Sequence, residues 1–436
     1  MRQPKFKPAA FGGARFRWPT ALCAGLLLAH SQAWSAADEL DELDELKGAF
    51  AQLQRENTDL RNRLETQAQA IEQLVSRLEA LEQKPPVAAP NEATMPGMTV
   101  GRDALAISPP RATIQWFGDV NFQDGGEVRN DQSQPSSFSL GQLGLMINSA
   151  LAQNVSVLSE IVFQYNENQS ASTTVERLQL QYNLNDLINF RLGRIHTPFG
   201  FWNETYHHGT WFQTTILRPE ILRFHDGGSV LPIHSVGLEM YGYQPFSALD
   251  LQYSVGVANG RAPNYNETQN SYDSNTNKAV YAVLTLAPAA VPGLSFGVNG
   301  YWDKIPPAPP GRVETLNESI WGAHLVYLRD RLELLSEATH IEHRDPVNSQ
   351  TFTTTGMYAQ AGYQIGLFTP YYRYDRLSLG EGDPYYGPLE VTETRNTLGI
   401  RWDLINWAAL KFEYQHIDQV NLSSPHAFYT QGTFTF

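Results

Sequence analysis

From residue 112 to Phe436 the chain alternates apolar and polar residues with a period of two, in runs of roughly ten. Ile114, Trp116, Gly118, Val120 and Phe122 interleave with Gln115, Asp119, Asn121 and Gln123. Leu249, Leu251, Tyr253, Val255 and Val257 interleave with Asp250, Gln252, Ser254 and Gly256. Roughly ten residues is the length of a tilted strand crossing a bilayer. Sixteen such segments can be placed, the first at 112–123 and the last at 426–436. Short connections such as Asn185-Asp186, Arg329-Asp330 and Ile365-Gly366 alternate with long ones such as 197–232, 260–277 and 304–317. Short turns at one end and long loops at the other are the habit of a transmembrane β-barrel. The expected fold is therefore all-β: a 16-stranded antiparallel transmembrane barrel over 112–436.

Composition excludes the main rivals. Only 17% of the residues are charged and mean hydropathy is −0.35. The longest apolar run, Ala21 to Ala29, is far short of a membrane-spanning helix, so a helical transporter is ruled out. A net charge of −14 argues against nucleic acid as a partner, because phosphate binding wants clustered Lys and Arg.

The N-terminal quarter reads differently. Residues 1–37 have a basic start (Arg2, Lys5, Lys7, Arg15, Arg17), a short apolar core and small residues at Ala33, Ser35, Ala36 and Ala37. This is the layout of a secretory signal peptide. The one cysteine, Cys23, lies inside it, so the processed chain offers no disulfide and no thiolate ligand. Over 38–84, Leu43, Leu46, Phe50, Leu53, Leu60, Leu64, Ile71, Leu74, Leu78 and Leu81 recur at spacings of three and four. That seam predicts an α-helical coiled coil, with Asn57 as the polar a position that sets register. Its narrow apolar stripe can be buried only against other copies, which implies self-association. Residues 85–111, rich in Pro and Ala, read as a linker. The expected placement is a barrel in the bacterial outer membrane with the rod in the periplasm.

A barrel of sixteen strands encloses an aqueous lumen rather than a filled core. The inward set is polar and includes Glu160, Arg177, Arg191, Glu239, Glu337, Arg373, Asp375, Arg395, Arg401, Lys411 and Glu413. The longest connection, 197–232, carries Trp202, His207, His208, Trp211, Phe212, Arg218, Arg223 and His225. Thirty-six residues with several aromatics predict a loop that folds inward and narrows the passage. The residues assigned to that constriction are Arg177, Arg191, Arg194, Arg218, Arg223, Arg373, Arg395, Arg401, His207 and His208. Strict alternation from Arg191 would turn Arg194 outward.

Arg191-Leu192-Gly193-Arg194, then Thr197-Pro198-Phe199-Gly200, a long loop, and Gly237-Leu238-Glu239-Met240-Tyr241-Gly242 together resemble the phosphate-selective porin O and P family. The coiled coil ahead of the barrel resembles DcaP-type porins. The last strand, ending Phe434-Thr435-Phe436, looks like the assembly signal that barrel-assembly machinery reads. The resemblance implies a homotrimer in outer-membrane lipid that passes small hydrophilic or anionic solutes, without catalysis or cofactor. Only 18 basic residues (15 Arg, 3 Lys) face 31 acidic ones in 112–436, a departure from the basic ladders of phosphate specialists. General, anion-preferring and substrate-specific diffusion stay open, as does a structural role in which the rod tethers the membrane to the cell wall. Loop residues His207, His208, His225 and Asp226, with His234, offer imidazole and carboxylate of the kind that suits Zn or Cu, but their spacing matches no compact motif and they read as polar constriction residues. No positioned nucleophile and base, P-loop or dinucleotide fingerprint stands out.

Overall fold

The computed structural model describes residues 111–125, 136–165, 170–207, 209–225, 228–265, 272–387, 392–419 and 426–436. The signal peptide, the heptad rod with Asn57 and the linker up to residue 110 lie outside the described residues.

Sixteen strands form the barrel: β1 Arg111–Gly125, β2 Ser137–Ala152, β3 Val155–Tyr165, β4 Ala171–Asn183, β5 Asn189–His196, β6 His234–Pro245, β7 Leu249–Ala258 and β8 Ala279–Pro288. They continue with β9 Leu294–Ile305, β10 Leu316–Arg329, β11 Leu332–Arg344, β12 Thr351–Tyr363, β13 Phe368–Ser378, β14 Thr392–Ile405, β15 Ala408–Gln419 and β16 His426–Thr435. Each pairs antiparallel with its chain neighbour, and β1 pairs with β16, so no edge remains. The seam is continued by Trp116 N–H donating to Phe436 O at 2.9 Å and Phe436 N–H donating back to Trp116 O at 3.1 Å. Closure is what lipid demands, because an unpaired backbone group in hydrocarbon costs several kcal/mol.

Short turns and long connections alternate around the barrel, as the spacing predicts. In the tight turns at 330–331 and 364–367, Asp330 (φ +55°) and Gly366 (φ +63°) take the left-handed conformation that hairpin reversals favour. The segment between β5 and β6 stands apart. It holds a four-residue helix, α1 (Trp202–Thr205), a 3₁₀ turn at Glu220–Leu222 and a two-residue ladder, Phe224–His225 with Gly228–Ser229.

Period-two patterning maps onto the two faces. Along β12, buried and exposed residues alternate without a break, with Tyr358 and Gln360 inside and Met357 outside. Outward-facing Leu398, Val298, Leu325 and Leu238 are 44–61% exposed, forming part of an apolar band. Trp302, Trp321, Trp407 and Tyr414 are exposed as well. Inward-facing Arg373, Asp375, Lys411, Glu413 and Gln415 are at most 1% exposed. A wet lumen would leave such side chains accessible. Something must cover them, and it is the long segment after β5.

The outer face gives a direct check. Leu398 lies mid-strand in β14 and Leu398→Arg would place a guanidinium in lipid. Its folded form in bilayers should lose about 2–4 kcal/mol, measured by urea titration of a heat-modifiable band. The same substitution at exposed loop residue Val347 should change little.

Candidate functional site

Residues 197–233 leave β5 and return to β6 at one point on the wall. Thr197 N–H donates to Ile233 O at 2.9 Å, and Asn203 Nδ2 donates to Thr197 O at 2.7 Å and to Ile233 O at 3.0 Å. Between those ends the segment meets the inner faces of strands far around the barrel. Trp202 N–H and Phe201 N–H donate to Glu337 Oε1 on β11, at 2.7 and 3.2 Å. Thr214 Oγ1 donates to Glu333 on the same strand at 2.7 Å. Ile216 N–H donates to Glu413 on β15 at 2.9 Å, and Thr210 Oγ1 meets Thr433 on β16 at 2.9 Å. The segment therefore lies within the barrel, as expected from its length and aromatic content.

Basic side chains on the wall capture its carbonyls. Arg373 donates to Leu217 O at 2.7 Å and Arg218 O at 3.0 Å, while its Nε holds Asp375 at 2.7 Å. Arg401 donates to Trp211 O at 2.6 Å and Gln213 O at 3.0 Å. Lys411 Nζ donates to Gln213 O at 2.8 Å, Thr215 O at 2.9 Å and Thr210 O. A segment with so little regular secondary structure has many carbonyls to satisfy, and basic side chains offer several N–H donors each.

Apolar packing reinforces the clamp. Ile195, Phe199, Trp202, Ile221, Leu222, Leu231 and Ile233 are buried in one cluster with Tyr301, Ile305, Ile320, Tyr358 and Leu377 of the wall. Gly200 (φ +62°) makes the approach to β11 possible: a Cβ there would stand 1.6 Å from Glu337 Oε2. A second buried knot joins the long connections. Arg261 donates to Glu318 at 3.0 Å and Tyr386 Oη at 3.0 Å, and His343 bridges Asp383 at 2.8 Å and Glu318 at 3.0 Å.

The residues singled out from sequence fall into groups. Arg177 and Arg191 keep solvent contact, with side chains 18% and 22% exposed. Arg177 pairs with Glu160 at 2.6 Å; Arg191 pairs with Glu239 at 3.2 Å and stacks 4.2 Å over Tyr241. Exposed Glu204, on α1, lies within electrostatic reach of both arginines. Arg373, Arg395 and Arg401 belong to the loop-to-wall clamp, where same-face partners two residues away (Asp375, Glu393, Asp403) balance their charge. Arg395 also reaches Glu220 of the segment at 3.1 Å, and Glu220 holds Arg223 at 3.1 Å.

Arg218 donates to His207 O at 2.5 Å. Burial pulls its guanidinium down to about 10, opposed by the Glu176 and Glu160 carboxylates, so it stays charged at neutral pH. Arg194 is buried, its Nε donating to Glu176 O at 3.0 Å. Its ladder register is regular, opposite Leu178 and Val236, yet its side chain is buried rather than exposed. His207 is buried; His208 and Asp226 lie outside the described residues. Phe434 and Phe436 stack at 6.2 Å, and Phe436 is 69% exposed on the outer surface.

Glu337 and Lys411 were legible as inward polar residues, but not as loop anchors. His196, Arg261, Glu318, His343 and Asp383 carried no sequence signal, because each gains its partners only from strand register or from segments distant in sequence.

No protein-family model and no curated protein sequence matches the chain. Solved structures do. An anion-selective porin from Comamonas acidovorans is 12% identical, with a TM-score of 0.54 over 75% of this chain and 100% of that one. A loop-deleted form of OmpT, an outer-membrane protein of Vibrio cholerae, is 11% identical, with a TM-score of 0.52 over 76% and 100%. The outer-membrane channel DcaP of Acinetobacter baumannii is 12% identical, with a TM-score of 0.50 over 75% and 97%. At these identities the likeness is one of fold: the chain shares a closed 16-stranded antiparallel barrel with these outer-membrane proteins.

Arg373→Ala would leave Asp375 buried without its cation and remove the guanidinium donors to Leu217 O and Arg218 O. It should destabilise the folded protein by about 3–5 kcal/mol in urea unfolding and open trypsin cleavage after Arg223. Gly200→Ala should have the same protease phenotype with a smaller loss of stability.

Proposed function

We propose that the protein is an outer-membrane porin for passive diffusion of small hydrophilic solutes, with its passage narrowed by residues 197–232. The observation that carries this reading is the segment pinned across the interior of a barrel wide enough to hold water. An ordered segment fixes the bore; a mobile one would let it vary.

Anion preference is the finer part of the proposal. The clamp consumes Arg373, Arg395 and Lys411, each at most 3% exposed; of the wall arginines named from sequence, Arg177 and Arg191 keep the most solvent contact among the described residues, ahead of Arg401 at 12%. The field at the narrowest point outweighs the acidic balance of the whole barrel. Glu204 opposes that field, so the preference is weak. No chemistry beyond binding and release is required, and binding must be loose enough for solutes to leave.

Self-association into a trimer through the 38–84 heptads and the barrel's outer surface belongs to the same proposal. It is supported by the narrow helical seam and by a neighbour of like fold described in a trimer form. The alternative, a tether in which the barrel is mainly an anchor, rests on that seam alone.

A planar-bilayer recording in a KCl gradient tests the reading. Stepwise conductance with a reversal potential favouring chloride is expected, and Arg191→Ala should move that potential toward the cation side. Deleting residues 209–218 should raise single-channel conductance. A cation preference in the wild type would give the lumen to its acids. Absence of conductance from folded protein would transfer the weight to the tether, in which case deletion of 38–84 should weaken the envelope.

A further inference from the structure

We infer that His196, His207 and His234 form a binding site for a divalent transition metal at the root of the 197–233 segment. The three rings are 2–8% exposed, and one nitrogen from each lies within 4.8 Å of the others. Ring centroids are 4.0 Å apart for His196–His207, 4.4 Å for His207–His234 and 5.4 Å for His196–His234. The backbone sets this convergence. His196 ends β5, His234 begins β6, and the two are direct cross-strand partners. Such partners present neighbouring side chains on one face. His207 follows α1, and Asn203 of that helix is tied to Thr197 O and Ile233 O beside both strand histidines.

The hydrogen bonds also prepare the donor atoms. Asn203 Nδ2 donates to two carbonyls, so its Oδ1 can only accept, and it meets His207 Nδ1 at 2.6 Å. His207 Nδ1 must then carry the proton, and the lone pair of the neutral ring resides on Nε2. Glu176 Oε2 lies 2.9 Å from His234 Nε2, and Glu160 Oε2 lies 3.6 Å from His196 Nε2. An oxygen acceptor on the far ring nitrogen orients a ligating histidine and makes it more basic; His207 has one in hydrogen-bond contact, while Glu176 and Glu160 approach His234 and His196 as electrostatic partners. Tetrahedral Zn–N bonds of about 2.0–2.1 Å place nitrogens about 3.3 Å apart, a closure that side-chain rotation can reach.

Three imidazoles suit Zn2+, Cu2+, Ni2+ or Co2+ rather than Ca2+ or Mg2+. Both carboxylates are shared, Glu160 with Arg177 at 2.6 Å and Glu176 with Arg194 at 3.9 Å. Charge is thus balanced before the dication arrives, which sets the affinity below that of a closed thiolate site. A bound ion would join β5, the inner segment and β6 through one atom. The inference stands on wall geometry and is independent of conduction.

The test uses the full chain folded in detergent, stripped with EDTA and titrated with ZnCl2. One zinc per chain is expected, with at least tenfold weaker binding in His207→Ala and in His234→Ala. The surface pair His416 and His426, whose rings are 4.7 Å apart, is a rival, and His416→Ala with His426→Ala should leave the binding unchanged. Zinc lost only in that double variant, or retained equally by His207→Ala, overturns the inference. Should the single variants fail to fold, Co2+ decides on the wild type. The visible absorption of a tetrahedral nitrogen-ligated ion supports the site, and a spectrum like hydrated Co2+ overturns it.

Discussion

Hydrocarbon leaves a backbone no partner but itself, and the pairing of β1 with β16 is the step that satisfies it. Until that seam forms, fifteen hairpin pairings leave two long edges open. Once it forms, the strand faces sort at once. Apolar side chains such as Leu398 and Val298 face outward, and a dense set of charged side chains such as Arg373, Asp375 and Glu413 shares the interior. The density of charge inside this barrel is therefore a product of closure. Each strand has only two faces, and lipid accepts one kind of residue.

Confined charges must be partnered, and this barrel partners them twice over. Along the strands, an arginine and a carboxylate two residues apart share a face, as in Arg373 with Asp375 and Arg401 with Asp403. Across the interior, the remaining donors of the same arginines reach the carbonyls of the inner segment. One guanidinium has five N–H groups in a planar fork and serves both tasks. The inner segment in turn supplies N–H groups to carboxylates such as Glu337 and Glu413. Wall and segment thus complete each other's hydrogen bonding, which lets an irregular chain be buried at all.

The barrel was largely legible in the sequence because its cause is local. Alternation between neighbours reports which face meets lipid, and turn lengths report which end is which. Arg373 and Glu413 could be placed inward on that ground alone. What they touch could not be read, since Leu217 O and Ile216 N–H are 156 and 197 residues away and the segment bearing them has no period. Arg194 shows the limit most clearly. Counting by twos from Arg191 turns it to an exposed position, but its side chain is buried and donates to Glu176 O. His196 was invisible for a related reason: its significance comes from His234 beside it and His207 above it, and only the first of those relations is a matter of strand register.

The inner segment departs from the wall and returns to it at adjoining residues, Thr197 and Ile233. Its length is therefore uncoupled from the register of the sixteen strands. Residues gained or lost within it change the shape of the interior and leave every ladder where it was, while the added chain-closure entropy grows only with the logarithm of length. A lineage carrying such an insertion can reshape the barrel's interior without refolding its wall. Interior shape and wall architecture are then open to selection as separate traits.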